Sequence, residues 1–427
     1  MSLYLCKGKQ FFPKCKAEFA KCFVFAYIFF YAWLFLCFFC TFAGMKLHIF
    51  NPEHDIALAC NLAQFTPPHA ARQLRADLGF LPALWADDGD FVLVDNVESA
   101  LIGKRHLTRY MADVCFVGID SLKQMQEMNV IPSPWGWDKA LAHRLRKAGL
   151  TNAVPSDDKL GAIRIMSSRQ WAAEHLLKPL VASDNRYVGE AIHTTTFPAE
   201  ITALPRVLKA PWSSSGRGIR YEMTPTDTAR HTSWARNVIS RQTGLMVEPY
   251  FNKVEDFGME FESLSDGTIV YRGLSLFRTT NGAYNGSIIA TEKAKQQLLS
   301  RYVSADLLQL TQNRITNILT GLLKNFYEGP FGVDMMIVTY NGEIKLHPCV
   351  ELNLRRTMGH VALSFDCDET MPQRLKIYGN TEIVSALSQM VESGHIPHAM
   401  LLHQDDGGGA FPLMDRKSTR LNSSHSV

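Results

Sequence analysis

Hydrophobic and polar positions alternate most regularly over residues 328–356, EGPFGVDMMIVTYNGEIKLHPCVELNLRR. The alternation has the two-residue period of β-strands and is interrupted by Asn341 and Gly342. An Asn-Gly pair between two alternating apolar segments is the strongest short-range signal of a β-hairpin. The pattern therefore predicts two strands joined by a tight turn at Asn341 and Gly342.

Polar residues occupy regular positions in this predicted hairpin. Asp334 lies on the first strand, and Glu351, Asn353 and Arg355 follow at intervals of two near the end of the second. Residues two apart in a strand share a face, so these last three side chains point the same way. Carboxylate and amide oxygens suit Mg²⁺, and a guanidinium beside them can neutralise a phosphoryl group. The alternative is that Glu351 and Arg355 form a surface ion pair on a solvated face.

Strand-like and helix-like segments alternate from residue 46 onward. The predicted elements are strands at residues 46–50, 91–94 and 115–118, a helix at 70–78, and a turn followed by an amphipathic helix at 132–150. This alternation is typical of a parallel α/β sheet. Ligands of such sheets lie beyond the carboxyl ends of strands, where Asn51 and Asp55 would lie. Alternatively, these two residues simply cap the next element.

The second half of the chain has a more mixed pattern. Residues 155–177 and 305–326 are predicted helices, residues 194–204 a connection, and residues 206–208, 219–221 and 271–277 strands. Residues 279–287, rich in Asn and Gly, are predicted to be a flexible segment after Arg278.

A loop of small residues follows Lys209. Its members are Ser213, Ser214, Ser215, Gly216 and Gly218. Small residues let backbone N–H groups approach an anion closely, and serine hydroxyls add donors. The Lys209 ammonium can reach the same phosphates as a point charge. A plain hairpin is the alternative for this loop, and the absence of a GxxxxGK[ST] motif excludes a P-loop enzyme.

The composition narrows the functional classes. The chain has 427 residues, of which 46% are hydrophobic and 20% charged, as in a globular protein of two or three domains. Its net charge of +3, without a long basic run, gives no sign of nucleic-acid binding. Beyond the first forty residues the cysteines are scattered without a disulfide or metal spacing, which favours a reducing, cytoplasmic compartment.

Both ends of the chain are unusual. Residues 23–43 are uncharged and long enough for a signal peptide or a membrane anchor, but they are rich in Phe, Tyr and Cys. We expect translation to start at Met45, with residues 1–44 being upstream sequence read in frame; an anchor at residues 23–43 is the alternative. Residues 415–425, DRKSTRLNSSH, resemble one reading frame of a sequencing adapter. We therefore expect residues 415–427 to be foreign and the natural C-terminus to be missing.

The order of these motifs resembles the ATP-grasp superfamily, which includes D-alanine:D-alanine ligase, glutathione synthetase and biotin carboxylase. The resemblance covers roughly residues 160–360. It implies an N-terminal α/β domain at residues 45–150, followed by two α+β subdomains that clamp ATP. These subdomains would be residues 151–246 and residues 247–414.

The resemblance also implies roles for individual residues. Lys209 and the loop would hold the ATP phosphates, the strand bearing Glu248 and Tyr250 would contact adenine, and Glu255 would bind the ribose. Asp334, Glu351 and Asn353 would bind Mg²⁺ or Mn²⁺, and Arg355 would be a phosphate-binding or catalytic arginine. This chain departs from the family in three ways: serines replace the usual loop glycines, a second lysine is replaced in our prediction by Arg169, and the interval from Asp334 to Glu351 is long.

The implied activity is that of a carboxylate-amine ligase. A substrate carboxylate would attack the γ-phosphate of ATP, and an amine would then open the acyl phosphate. Lys209 and Arg355 would neutralise charge, while Arg278 and residues 279–287 would serve the acceptor. The alternative for Arg278 is a surface residue without a role in the reaction. The alternative is a regulatory or degenerate ATP-binding protein of the same fold. The substrates, beyond a small carboxylate and an amine, and the oligomeric state do not follow from the sequence.

Overall fold

The structure is a computed structural model that describes residues 44–105, 108–197, 204–213, 216–280, 283–365, 373–377, 400–401 and 412–416. The chain divides into two compact units, Met1–Met45 and Lys46–Val427, and all elements named here belong to the second. No helix among these residues combines the length and apolar character needed to cross a bilayer. The predicted anchor, residues 23–43, and residues 417–427 of the predicted tail lie outside the described residues.

A parallel sheet forms the first part of this unit. Its strands are β1 (Lys46–Ile49), β2 (Phe91–Leu93), β3 (Cys115–Val117) and β4 (Ile131–Pro134), in the spatial order β3-β2-β1-β4. The helices that accompany them are α1 (His54–Cys60), α2 (His69–Leu78), α3 (Val97–Arg105), α4 (Leu122–Glu127) and α5 (Lys139–Lys147). All three strand pairs are parallel, which confirms the predicted α/β class of this part.

The prediction of a turn at the start of residues 132–150 was wrong, because Pro132 and Pro134 belong to β4. A proline lacks the N–H needed in the middle of a sheet, so two prolines argued against a strand. β4 pairs only with β1 and thus lies at an edge of its sheet, where prolines are tolerated.

The single helix predicted over residues 155–177 is divided. Its parts are α6 (Asp157–Met166), α7 (Arg169–Ala172) and a π-helical turn (Ala173–Leu177), after which α8 (Lys178–Ser183) follows. The division occurs at Ser168, whose hydroxyl accepts a hydrogen bond from the Trp171 N–H at 3.1 Å. A serine in this position caps a new helix, which here begins at Arg169.

A small antiparallel sheet comes next. It contains β5 (Ile192–Thr194), β6 (Arg206–Lys209), β7 (Ile219–Glu222) and β8 (Leu245–Pro249), in the order β5-β8-β6-β7. The sequence analysis missed α9 (Pro225–Gln242), although Thr224 and Asp227 form a capping box at its start. Its residues Ala235 and Val238 pack on the strands beside Leu208 and Val247. Of the predicted connection at residues 194–204, residues 198–203 lie outside the described part of the chain.

A larger antiparallel sheet completes the fold. It has the order β13-β12-β9-β10-β11-β14-β16-β15. The strands are β9 (Asn252–Ser263), β10 (Ile269–Thr280), β11 (Ala283–Ile289), β12 (Gly329–Tyr340), β13 (Glu343–Asn353), β14 (Gln373–Ile377), β15 (Met400–Leu401) and β16 (Pro412–Arg416). The helices are α10 (Glu292–Leu299), α11 (Ala305–Leu323) and α12 (Met358–Leu363). Residues 279–287, predicted to be flexible, instead form the end of β10 and most of β11, with residues 281–282 outside the described part.

The two faces of this sheet carry different residues. Phe257, Phe261 and Phe331 are fully buried and share a core with the apolar side of α11. On the opposite face Asp334 lies beside Gly258, and Gly332 lies beside Glu260. Alternation along the strands thus gives one apolar face that is buried in the core and one face that carries carboxylates.

Candidate active site

The β12–β13 hairpin places two carboxylates opposite each other. Its turn residues Asn341 and Gly342 have φ values of 51° and 81°, as a type I′ turn requires. The register pairs Asp334 with Glu351 and Gly332 with Asn353. The long sequence interval between the two carboxylates is absorbed by an irregularity: two residues of β12 after Asp334 face four residues of β13.

A chain of hydrogen bonds links these strands to the parallel-sheet part. The Asn353 amide donates to Asp334 Oδ2 at 3.0 Å, and Arg355 donates to Asn353 Oδ1 at 2.9 Å. Arg355 also donates from Nε to Asp55 Oδ1 at 2.8 Å, across 300 positions of sequence. Glu351 is paired instead with Arg169, at 2.7 Å. The surface ion pair between Glu351 and Arg355, considered as an alternative, is therefore not what forms.

The carboxyl groups of Asp334 and Asp55 have different electrostatic surroundings. Burial, followed by the charges of Glu351 and Glu260, raises the pKa of Asp334 from its ordinary 3.8 to about 8. Burial acts in the same direction on Asp55, but the Arg355 guanidinium outweighs it and holds the pKa of that carboxyl below its usual value. Among the described residues, Asp55 thus forms an ion pair with Arg355, whereas Asp334 forms none.

These residues fit a magnesium site in their chemistry. Mg²⁺ is usually held by one or two carboxylates together with substrate phosphates, and Asp334 and Glu351 supply that number. Among the residues that the structure describes, no three His, Cys, Asp or Glu side chains form a preformed metal cage. Burial and the neighbouring carboxylates, which raise the pKa of Asp334, are unfavourable influences on its charge that a bound cation would offset.

Arg169 connects the carboxylate strands with the small-residue loop. It donates to Glu351, and also to Ala210 O at 2.7 Å and to Ser213 Oγ at 2.8 Å. Its side chain is 5% exposed, so protein acceptors already engage the guanidinium that we predicted to bind the nucleotide.

The loop itself turns tightly. Gly216 has a φ of 71°, and a Cβ on Gly218 would come within 2.3 Å of Ser213. The Ala210 N–H donates to Gly218 O at 2.8 Å, which closes the turn. Ser214 and Ser215 lie outside the described residues.

A buried ion pair lies at the end of the site where the strand bearing Glu248 and Tyr250 was predicted to contact adenine. Lys209 Nζ lies 2.6 Å from Glu248 Oε2, and both side chains are 7% exposed. Tyr250 follows β8 and is partly exposed, with its ring edge-on to Tyr221. Glu255 is half-buried on β9, opposite Ile337. Arg278 lies on β10, and its side chain is outside the described part.

Two residues near this end were missed in the sequence. His347 is 1% exposed and neither ring nitrogen has a hydrogen-bond partner among the described residues. Burial, assisted by Lys209, lowers the pKa of His347 to about 3, so the ring is neutral. Burial and the neighbouring acidic groups raise the pKa of the Cys349 thiol, which lies within the influence of both Lys209 and Asp334. The register places His347 and Glu351 opposite Met336 and Asp334, two positions on one face of β12, whereas Cys349 belongs to the hydrophobic core.

A second pair that was not predicted from the sequence is formed by His360 and Glu260, which lies on β9 opposite Gly332. His360 Nδ1 is 3.0 Å from Glu260 Oε2, and both side chains are buried. A Cβ on Gly359 would lie 1.9 Å from Glu260 Oε1, so α12 passes directly over this carboxylate. No motif in the sequence connects the two residues, which are distant in the chain.

The turn after β1 also contributes. Asn51 donates to Gly136 O at 2.9 Å and to Asp138 Oδ2 at 3.3 Å. The N-cap residue of α1 is Glu53, without a side-chain capping bond, so the capping interpretation of Asn51 and Asp55 was wrong. Asn51 instead fastens β1 to the segment that precedes α5.

A cavity lies where the three parts of the site meet. Its lining includes His54 and Asp55 from α1, Ser213 from the loop, and Glu351, Asn353 and Arg355 from the end of the hairpin. The structure therefore brings together side chains from α1, the small-residue loop and the hairpin around one small cavity.

No protein-family model and no curated protein matches this chain. Solved structures do. An N5-carboxyaminoimidazole synthetase from Staphylococcus aureus, complexed with ADP, is similar over 89% of this chain and 94% of its own, with 13% identity and a TM-score of 0.51. An N5-carboxyaminoimidazole synthase from Aspergillus clavatus, in complex with ADP and 5-aminoimidazole ribonucleotide, is similar over 88% of this chain and 94% of its own, with 14% identity and a TM-score of 0.49. A biotin carboxylase from Campylobacter jejuni covers 79% and 76% at 13% identity and a TM-score of 0.44.

At such low identity, similarity between structures is informative about the fold alone. The Staphylococcus structure, with a TM-score of 0.51, supports this similarity of fold. Its match spans 89% of this chain and 94% of its own. The chain has the ATP-grasp fold, which confirms the resemblance seen in the sequence.

Proposed function

We propose that this protein is an ATP- and Mg²⁺-dependent ligase that activates a small carboxylate as an acyl phosphate and joins it to an amine. The observation that carries the proposal is the cross-strand pair of Asp334 and Glu351, with the raised pKa of Asp334 beside Arg355. Two carboxylates paired across neighbouring strands, one of them lining the cavity beside an arginine, suit a metal-bound polyphosphate.

The chain's own residues would act by position and charge. Ser213, at the start of the small-residue loop, lines the cavity, and small residues let N–H groups approach phosphate oxygens. Arg355 is oriented by Asp55 and Asn353, so its guanidinium is fixed before substrate arrives. A bound Mg²⁺ would supply charge neutralisation on the phosphates, held by Asp334 and Glu351 with Asn353 beside them.

Phosphoryl transfer of this kind needs no side-chain nucleophile. The substrate carboxylate attacks the γ-phosphorus, its new P–O bond forms as the bond to the ADP oxygen breaks, and ADP leaves. The amine nitrogen then attacks the acyl carbon, and inorganic phosphate leaves. The protein contributes alignment and electrostatic stabilisation, the two factors that dominate catalysis of phosphoryl transfer.

Nucleotide binding without turnover is the second candidate. It is favoured by the fact that Lys209 and Arg169, two cations predicted to bind phosphates, are already paired with Glu248 and Glu351. In a working ligase at least Lys209 would have to exchange its carboxylate partner for phosphate when ATP binds.

The test is ATP consumption by the full-length protein with Mg²⁺, pooled small carboxylic acids and hydroxylamine as a trap for acyl phosphates. We expect ADP and hydroxamate to appear together and only when carboxylic acids are present. Glu351→Gln should lower the rate at least about 100-fold, because it removes a carboxylate that would hold the Mg²⁺ that neutralises the phosphates.

Glu343→Gln is the matched control, since Glu343 is an exposed residue of the same strand that pairs with Lys345. It should leave the rate unchanged. Nucleotide binding without ADP or hydroxamate formation would favour the second candidate. The absence of nucleotide binding by the folded protein would contradict both.

A further inference from the structure

His54 is a buried histidine that borders the cavity and has no role in the proposed phosphoryl transfer. It is the first residue of α1, is 1% exposed, and lies next to Asp55, the partner of Arg355. It lines the same cavity as Glu351 and Ser213. The parallel-sheet part of the chain therefore places an imidazole beside the predicted phosphate end.

Asp138 holds this imidazole in one orientation. Asp138 Oδ2 lies 3.1 Å from His54 Nδ1, and both side chains are almost fully buried. The same carboxylate accepts hydrogen bonds from the Leu141 N–H at 2.9 Å and from Asn51. Carboxylate oxygens only accept hydrogen bonds, so in the neutral imidazole the proton shared with Asp138 Oδ2 is on His54 Nδ1.

The other ring nitrogen is left with a lone pair. His54 Nε2 makes no hydrogen bond to any residue that the structure describes. Gly136 lies close to the ring: a Cβ there would be 2.7 Å from Nε2 and Cδ2 and 2.8 Å from Cε1. A position nearly equidistant from these three atoms lies over the face of the ring and not in line with the Nε2 lone pair.

We infer that the His54–Asp138 pair is the base that deprotonates the attacking amine in the second half of the reaction. This inference rests on the proposed function. As the amine nitrogen forms its bond to the acyl carbon, one N–H proton moves to Nε2. The C–O bond to phosphate breaks, and the imidazolium returns the proton to the departing phosphate, so the products are the amide and hydrogen phosphate. Asp138 acts through His54 and is a positioning residue.

Hydroxylamine separates this role from a structural one. It is unprotonated and strongly nucleophilic at neutral pH, so its attack on an acyl phosphate depends little on a base. The assay therefore supplies ATP, Mg²⁺ and pooled carboxylic acids with either hydroxylamine or pooled amino acids, and measures hydroxamate or amide by mass spectrometry.

In His54→Gln we expect amide formation to fall about 100-fold or more, the usual contribution of a general base, and hydroxamate formation to change less than about threefold. Asp138→Asn keeps the helix cap but cannot stabilise the imidazolium, so it should lower amide formation selectively as well. The control His143→Gln, a half-buried histidine on α5 away from the cavity lining, should change neither product.

Several results would overturn the inference. A parallel fall of both products in His54→Gln would show that His54 supports phosphoryl transfer or folding, and would overturn the inference. Unchanged amide formation would overturn it too, as would a wild-type protein that makes hydroxamate but no amide with any amino acid. A wild-type protein that makes no hydroxamate would overturn the proposed function first, and the inference with it.

Discussion

The two ends of the candidate site balance charge in different ways. At the end formed by β6 and β8, Lys209 and Glu248 neutralise each other at 2.6 Å in a buried setting. At the end formed by β12 and β13, Asp334 receives one hydrogen bond among the described residues, from the uncharged amide of Asn353. At the β6–β8 end a cation and an anion neutralise each other. At the β12–β13 end Asp334 forms no ion pair with a cationic side chain among the described residues.

This difference shows how one protein can prepare for a ligand in two ways. A buried ion pair keeps a lysine ordered, and the lysine must exchange partners to act on a ligand. A carboxyl group with a raised pKa stores an unfavourable interaction that a cation would relieve. The two ends should therefore respond to substitution with opposite signs.

Breaking the Lys209–Glu248 pair should have the largest effect on stability. Lys209→Met leaves Glu248 buried without its partner, which costs about 3–5 kcal/mol of unfolding free energy. The double variant Lys209→Met/Glu248→Gln removes both charges and should recover most of that loss. Urea denaturation measures both values. If the single and double variants are equally stable, the cost of Lys209→Met does not come from leaving the Glu248 charge buried without a partner.

The opposite end should show the reverse sign and a dependence on pH. The folded-state pKa of Asp334 is about 8, above its ordinary 3.8, so folding favours the protonated form. Its contribution to stability is complete below about pH 4 and is lost as the pH rises through about 8. We expect Asp334→Asn to gain about 2–4 kcal/mol relative to the wild type between these limits, since the amide does not titrate.

The control for this pH dependence is Asp120→Asn, at an exposed position. Urea denaturation at intervals from pH 4 to pH 8 should show a difference that grows with pH for Asp334→Asn and stays constant for Asp120→Asn. A constant difference for both variants would mean that Asp334 is ionised at its ordinary pKa in the folded protein.

Local patterns predicted the hairpin because its signals are local. Asn341 and Gly342 adopt the positive φ angles that a type I′ turn requires, and the alternation on either side fixes which residues share a face. The interval from Asp334 to Glu351 was harder to interpret, because the irregularity in β13 around Pro348 adds two residues there. β13 lies at the edge of its sheet, where a proline is tolerated.

The remainder of the site depends on contacts that a sequence does not display. Arg169 meets Glu351 across 182 positions, and His54 meets Asp138 across 84. Such pairs depend on how the sheets pack together, and neither residue type nor spacing encodes that. The sequence indicated that residues 51–55 lie at the end of a strand, yet only the structure shows that His54 and Asp55 face the hairpin's cavity.

We propose that Asp334 and Glu351 bind a metal at the phosphate end of a nucleotide. Isothermal titration calorimetry of the full-length protein with ADP, with and without Mg²⁺, tests it without knowledge of the substrates. We predict that Mg²⁺ raises the ADP affinity of the wild type and of Asp120→Asn by about tenfold or more, and leaves that of Asp334→Asn unchanged. An equal Mg²⁺ effect in all three proteins would contradict the claim.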